Sequence, residues 1–242
     1  MKSSIEKVIM TNDSCIYLTT AGDIFSGALP MHLDTSACLG KVVDVALGYE
    51  HKILLTDEGV VYTWGNGRRL QLGHGNLNNL DIPTVVTALS GVKIIKISAG
   101  GWHSCALSDI GDLYVWGWND TGQLGVKLTT IDKGEQSFGI PVLVDLFCEN
   151  GEEVHTHIKD VACGSRHTTI LLEDGTLWTS GSNKYGQLGF SAETFEKVNH
   201  FKKAYQCCKS CTLLSGFWNT VIDTNSCRCS HWCGYDNVKE ML

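Results

Sequence analysis

The chain lacks the features that would place it in a membrane, outside the cell or on nucleic acid. No uninterrupted apolar stretch approaches the roughly 18 residues of a membrane span, and its first residues hold no apolar core of a secretory signal. Positive charge is scarce, because 19 Lys and Arg face 26 Asp and Glu, for a net charge of -7. Such a balance disfavours the phosphate contacts that supply most nucleic-acid affinity. We expect a protein partner, with no membrane and no direct nucleic-acid contact.

Motifs of catalysis are also missing. The sequence has no Gly-x-Ser-x-Gly elbow, no Walker loop and no His-Glu-x-x-His. Its acidic residues are dispersed, with no carboxylate pair at a diagnostic spacing. The glycine-rich turns follow or break strands and open no helix, so a phosphate cradle is not expected. We therefore predict no enzymatic activity and no cofactor.

What is present is a repeat, in a chain of 242 residues that is 43% hydrophobic and can build a sizeable core. In each copy Gly-x-x-His is followed eight residues later by a turn glycine, six later by a second glycine and eight later by the glycine of Gln-Leu-Gly. The three copies begin at Gly48, Gly100 and Gly164. A shorter echo precedes them around Cys15 to Gly27, and a partial copy begins at Gly216. Variation falls only between copies, which indicates rigid modules joined by surface loops.

Each copy predicts short antiparallel strands. Two runs of strand-forming residues flank a turn whose final glycine, Gly59, Gly111 or Gly175, is predicted to take positive φ. A third apolar run precedes each hairpin, and Leu124 and Leu188 are expected to pack back onto the sheet. Leu70 stands where the other copies have Gly122 and Gly186. If that position requires positive φ, the second unit is either strained or turned differently there.

The unit is typical of a β-propeller blade, and its motifs resemble the regulator of chromosome condensation repeat family over roughly residues 8 to 222. The resemblance implies an all-β propeller, seven-bladed in that family. Here only four to five blade units are visible, so we expect an incomplete propeller, either truncated or an open arc. The predicted repeats occupy 1–222, with units near 8–41, 42–93, 94–157 and 158–209 and a partial unit at 210–222. A cysteine-rich tail at 223–242 is expected to be disordered.

The cysteines are unevenly placed, with six of 11 in the last 36 residues. Without a secretory signal we expect reduced thiols, and Cys105 and Cys163 are predicted to be small core residues. The tail offers possible zinc ligands, but the second half of their spacing is irregular and Cys211 abuts the partial repeat. We therefore favour free thiols and predict no metal site. The weak candidates are Cys208, Cys211, Cys227, Cys229, His231 and Cys233.

The repeated histidines His51, His103 and His167 could suggest a metal or catalytic cluster, but equivalent positions in separate blades favour a hydrogen-bonding role. Trp64 and Trp116 are expected to pack between blades. In the other complete copies Trp102 is replaced by Glu50 and Arg166, and Trp118 by Asn66 and Ser182. Only the partial copy has a tryptophan, Trp218, at the position of Trp102. Loop residues that differ between units are where recognition can reside. A role in capping the blades is the equally weighted alternative. The predicted partner-binding residues are Tyr49, Glu50, Trp102, Arg166, Phe217 and Trp218.

Three functions remain open. The resemblance, which is greatest to a small chromatin-associated member of the family, implies an adaptor that partners a jumonji-type oxygenase in chromatin regulation or chromosome segregation. Its expected location is the nucleus, or the nucleus and the cytoplasm. The acidic balance would also suit histone tails. The second function is nucleotide exchange on a small GTPase, for which the Val126 to Glu153 insertion is the only candidate wedge. The third is a recruiting fragment of a large ubiquitin ligase.

Overall fold

The computed structural model describes residues 4–11, 14–127, 137–207, 212–215 and 220–223. Apart from one 3₁₀ turn, Thr87–Leu89, its regular elements are all strands. Within these ranges no helix is both long and apolar enough to cross a bilayer. The all-β prediction is therefore confirmed.

Sixteen strands form four antiparallel sheets of four, each built from strands consecutive in the chain. The first sheet holds β1 (Ile5–Met10), β2 (Cys15–Thr19), β3 (Ile24–Ser26) and β4 (Met31–Leu33). The second holds β5 (Val42–Leu47), β6 (His51–Thr56), β7 (Val61–Gly65) and β8 (Leu80–Val85). The third holds β9 (Ile94–Ala99), β10 (His103–Ser108), β11 (Leu113–Gly117) and β12 (Phe138–Leu143). The fourth holds β13 (Ile158–Cys163), β14 (His167–Leu172), β15 (Thr176–Ser182) and β16 (Lys197–Gln206), and β17 (Thr212–Ser215) pairs with β18 (Thr220–Asp223). We call the four sheets blades one to four.

The turn glycines take the conformation that their spacing predicts. Gly59, Gly111 and Gly175 have φ of 79°, 87° and 84°, in the left-handed region that a side chain disfavours. Leu70 has φ 64° and is the one non-glycine residue with positive φ in the described part of the chain. The equivalent Gly122 has φ 82°. Leu70 therefore adopts the positive φ of its glycine counterparts, which is the strained one of the two expected alternatives.

The hydrophobic core lies between successive blades. One cluster joins Ile16 and Leu18 of blade one to Leu54 and Trp64 of blade two. The next cluster joins blades two and three around Trp116, and a third joins blades three and four. Leu124 and Leu188 are buried as predicted. A single blade cannot bury its own apolar faces, so each sheet is stabilised by packing against the neighbouring blade.

The first strand of each blade lines a central cavity of about 480 Å³, to which Leu213 of β17 also contributes. Charges alternate at one equivalent position of these four first strands, and the residue at that position lies opposite a leucine of the second strand in each blade. Lys7 contacts Asp44 at 2.6 Å, and Lys96 pairs with Asp160. Asp160 also accepts the Leu213 backbone N–H at 2.7 Å, so this buried carboxylate ties blade four to the following strand pair.

Candidate protein-docking face

Two sets of loops emerge at the same end of the blades. In a four-stranded antiparallel meander, the connection from strand one to strand two lies beside that from strand three to strand four. Backbone hydrogen bonds join the two loops: Asn66 N–H to the Glu50 carbonyl at 2.8 Å and Trp118 N–H to the Trp102 carbonyl at 2.9 Å. Between blades, Tyr49 N–H donates to the Gly101 carbonyl at 3.0 Å. The loops are therefore held by backbone contacts independent of their side chains.

The side chains of these loops meet in one aromatic and cationic cluster. The Tyr49 and Trp102 rings lie 4.7 Å apart, and Trp102 meets the edge of Trp118 at 5.1 Å. The Arg69 guanidinium lies 4.6 Å from the Trp102 ring centre and 4.1 Å from that of Trp118. The Arg166 guanidinium lies 5.1 Å from Trp118. We call these five residues the Trp–Arg face.

The polar ends of the Trp–Arg face are only partly satisfied. The Tyr49 hydroxyl lies 2.8 Å from Ser165 Oγ. Arg166 Nη1 reaches Asp120 Oδ2 at 3.4 Å, with the arginine side chain 44% exposed. Buried Trp102 Nε1 has no hydrogen-bond partner among the described residues. The indole rings are half-buried, so the face combines fixed aromatic surface with accessible guanidinium.

The structure brings together three of the residues predicted from sequence, Tyr49, Trp102 and Arg166. Glu50 lies exposed at the same end of the blades. Phe217 and Trp218 fall outside the described residues, as do the tail candidates Cys208, Cys211, Cys227, Cys229, His231 and Cys233. The binding role of all these residues stays a prediction.

The sequence set of binding residues omitted two members of the Trp–Arg face. Arg69 occupies the turn position that holds Thr121 and Tyr185 in the other two copies. Because no other copy has an arginine there, the sequence did mark this residue as specific to its unit. Trp118 was recognised as unit-specific but not included. Both are placed on the face by the loop between strands three and four, which lies beside the loop that carries Trp102. Their contact depends on blade stacking, which the spacing alone does not give.

The repeated histidines form bonds between blades. His51 Nε2 lies 3.0 Å from Ser104 Oγ, and His103 Nε2 lies 2.9 Å from Thr168 Oγ1. Ser104 donates its hydroxyl proton to the Gln71 carbonyl at 2.9 Å, so its oxygen accepts from His51 Nε2–H. Burial lowers the pKa of His51 to about 3, with a smaller contribution from His103. A neutral imidazole donating to the next blade supports the hydrogen-bonding interpretation.

One buried group has the composition of a soft metal site. His103, Cys105 and Cys163 present ligand atoms within 4.8 Å of one another, and the two sulfurs are 3.3 Å apart. Both cysteines belong to the hydrophobic cluster between blades three and four, as predicted for core residues. His103 Nε2 contacts Thr168 Oγ1, while its Nδ1 is buried without a hydrogen-bond partner among the described residues. Cys15, Cys38, Cys105, Cys148 and Cys163 are free thiols.

The insertion considered as an exchange wedge contributes to blade three. Its described part supplies β12, which pairs with β11 through Val115 and Val142. Val144 and Leu146 are buried in the cluster between blades three and four. Residues 128–136 of the insertion fall outside the described part. The described portion is thus held in the sheet and core.

Family comparison identifies the repeat. A model described as "Regulator of chromosome condensation (RCC1) repeat" matches residues 58–107 and 111–171. A second model of the same description matches 42–71, 94–123 and 158–187. The matches span blades two to four, including all three histidine positions.

Curated proteins are similar to this chain over much of its length. RCC1 domain-containing protein 1 of Homo sapiens is 34% identical over 212 residues, covering 73% of this chain and 54% of the relative. The Mus musculus protein of that name is 36% identical over 184 residues, covering 64% and 47%. E3 ubiquitin-protein ligase HERC2 of Homo sapiens is 38% identical over 152 residues, covering 62% of this chain and 3% of the ligase. The chain spans about half the length of the first two relatives.

Solved structures share the fold. Human WBSCR16 superposes with a TM-score of 0.74 at 19% identity, covering 92% of this chain and 58% of that one. Yeast RCC1 (Prp20), solved bound to Kap60, gives 0.72 at 22% identity, covering 91% and 54%. These likenesses confirm propeller blades of the predicted type. The chain belongs to the regulator of chromosome condensation (RCC1) repeat family.

Proposed function

We propose that this chain is a non-catalytic protein interaction platform whose partner docks on the Trp–Arg face. One observation carries the proposal: five unit-specific aromatic and arginine side chains from blades two, three and four converge at one end of a repeated scaffold. Trp, Tyr and Arg are the residue types that most often dominate binding energy at protein interfaces. A scaffold need only be rigid for this role, and interblade hydrogen bonds supply that rigidity.

We further propose that the partner is a chromatin protein. The greater resemblance noted from sequence favours a jumonji-type oxygenase, with histones as a second candidate and the nucleus, or nucleus and cytoplasm, as the location. Support comes from relatives, since the structure of Prp20p from Saccharomyces cerevisiae is described with binding to Gsp1p and histones. Chromatin regulation or chromosome segregation would follow from recruitment by such an adaptor.

The test is capture from nuclear and cytoplasmic extracts with the full chain as bait. Arg166→Ala and Trp102→Ala should each lose the same partner, whereas Lys93→Ala, which removes an exposed charge at the opposite end of the blades, should retain it. Thermal unfolding of every variant guards against misfolding. Should Trp102→Ala unfold, Arg166→Glu replaces it, because that side chain is exposed.

Two results would contradict the proposal. One is a partner set that is unchanged in the folded face variants. The other is release of bound nucleotide from any member of a panel of small GTPases on addition of the chain, which would support an exchange factor. Recovery of neither a jumonji-type oxygenase nor a chromatin component would remove the chromatin assignment alone.

A further inference from the structure

The Trp–Arg face carries more cations than carboxylates, although the chain as a whole is acidic. The chain carries a net charge of -7. Around the Trp–Arg face, however, Arg68, Arg166 and Lys184 are exposed and Arg69 is half-buried, against Glu50 and Asp120. Two further carboxylates, Glu193 and Glu196, follow later in the blade-four loop. A local excess of cations in an acidic protein directs a negatively charged segment to this one place.

Most of that cationic charge is not neutralised within the protein. Arg166 has one contact with Asp120, at 3.4 Å. Among the residues that the structure describes, no carboxylate pairs with the Arg69 guanidinium. Its contacts are instead the faces of Trp102 and Trp118. An arginine with its charge unpaired can gain a carboxylate without losing an existing one.

Contact with the indoles also prepares Arg69 for a particular ligand geometry. A guanidinium carries its N–H donors at its edge in a planar fork, and because the two indole planes are 80° apart it can lie parallel to at most one of them. Contact with two indole rings limits the conformations of the long side chain, so less freedom is lost on binding. The donors that remain match the two oxygens of a carboxylate.

We propose, resting on the function above, that the segment which docks on the Trp–Arg face is acidic. Its Asp or Glu carboxylates pair with Arg69 and Arg166, and an adjacent apolar side chain packs on the half-buried Trp102 and Trp118 rings. This chemistry favours an acidic segment of a non-histone partner over a basic histone tail at this face. The few cations also suit a short peptide better than a nucleic-acid backbone, which gains affinity from many phosphate contacts.

The test is selection of a random peptide library displayed on phage against the immobilised full chain. Enriched peptides should be rich in Asp and Glu with a neighbouring apolar residue. Synthetic copies should bind at least about tenfold more weakly to Arg69→Ala and to Arg166→Ala, since each loses a charge-assisted hydrogen bond. Lys93→Ala should bind as the wild type does. Arg69→Lys should fall between, because it keeps the charge and loses the planar fork.

Three outcomes would overturn the proposal: enrichment of neutral or basic peptides, enriched acidic peptides that bind equally to folded arginine variants, or no enrichment. A histone-tail peptide and a 12-nucleotide single-stranded DNA are measured beside the selected peptides. Tighter binding of either at the face would also overturn it. A cellular partner that needs the face but docks through a basic segment would contradict this inference while leaving the proposed function standing.

Discussion

His51 of blade two donates a hydrogen bond to Ser104 Oγ of blade three across 3.0 Å, and both side chains are buried. The same contact recurs one blade later between His103 and Thr168. These bonds give each blade a polar attachment to its neighbour in addition to the apolar clusters. Each repeated histidine therefore depends on the hydroxyl residue that directly follows the histidine of the next blade.

Ser104→Ala should lower the free energy of unfolding by about 2 kcal/mol, because a buried imidazole N–H is left without an acceptor. In the next blade, Thr168→Val should be similarly destabilising, whereas Thr168→Ser keeps the hydroxyl and should lose much less. Denaturant unfolding followed by tryptophan fluorescence measures all three. Equal effects of Val and Ser at position 168 would show that the hydroxyl contributes nothing.

Stability should fall between pH 7 and pH 5. Burial lowers the native pKa of His51 to about 3 and that of His167 to about 4, against about 6.5 in the unfolded chain. In that interval the unfolded state binds more protons, so the free energy of unfolding decreases as pH falls. His51 alone should account for about 2 kcal/mol at pH 5 relative to pH 7.

Unfolding at a series of pH values for the wild type and His51→Asn measures this effect. The asparagine can donate a hydrogen bond but does not titrate, so its curve should be flatter over pH 5 to 7. Parallel curves for the two proteins would assign the pH dependence to other groups.

Relief of strain at Leu70 should be measurable. Its φ of 64° lies in the left-handed region, which disfavours a side chain by about 1 kcal/mol or more. Leu70→Gly removes the strain and the side-chain contacts, whereas Leu70→Ala removes the contacts and keeps the strain. The glycine variant should therefore be more stable than the alanine variant by about 1 kcal/mol, as measured by thermal unfolding. Alanine equal to or better than glycine would contradict this.

Gly100→Ala should be strongly destabilising, by about 3 kcal/mol or more. A Cβ at Gly100 would lie 2.0 Å from His103 Cε1 and 2.6 Å from the Gly164 carbonyl oxygen. The histidine would have to leave its interblade hydrogen bond. Gly151→Ala is the control, since its Cβ would meet nothing within 4 Å and only its φ of 86° opposes the side chain. Similar unfolding curves for the two variants would show that the histidine ring accommodates the methyl group.

Turn conformations and core positions could be predicted from the sequence, because the repeated copies adopt the same local conformation and can be compared residue by residue. The Leu70 irregularity was predictable since Gly122 and Gly186 mark what the turn requires, and Cys105 and Cys163 were predictable as core residues from their strand context. The Trp–Arg face was only half predictable. Trp102 and Arg166 stood out because the residue type at their position differs between the three complete copies. The contact of Arg69 with two indoles could not be predicted, because it joins residues 33 and 49 positions apart in sequence.

The sequence alone determined the blade, because strand length, turn glycines and apolar offsets act within about fifty residues and recur. Tertiary structure decided which side chains meet across blades. These contacts are the hydrogen bonds of the histidines, the ion pairs between the first strands, and the contacts of Arg69 and Arg166 with tryptophan. The reason is physical. Contacts within a hairpin are set by local backbone geometry, whereas contacts between blades depend on how one packed sheet is rotated and displaced against the next, which the core side chains fix collectively.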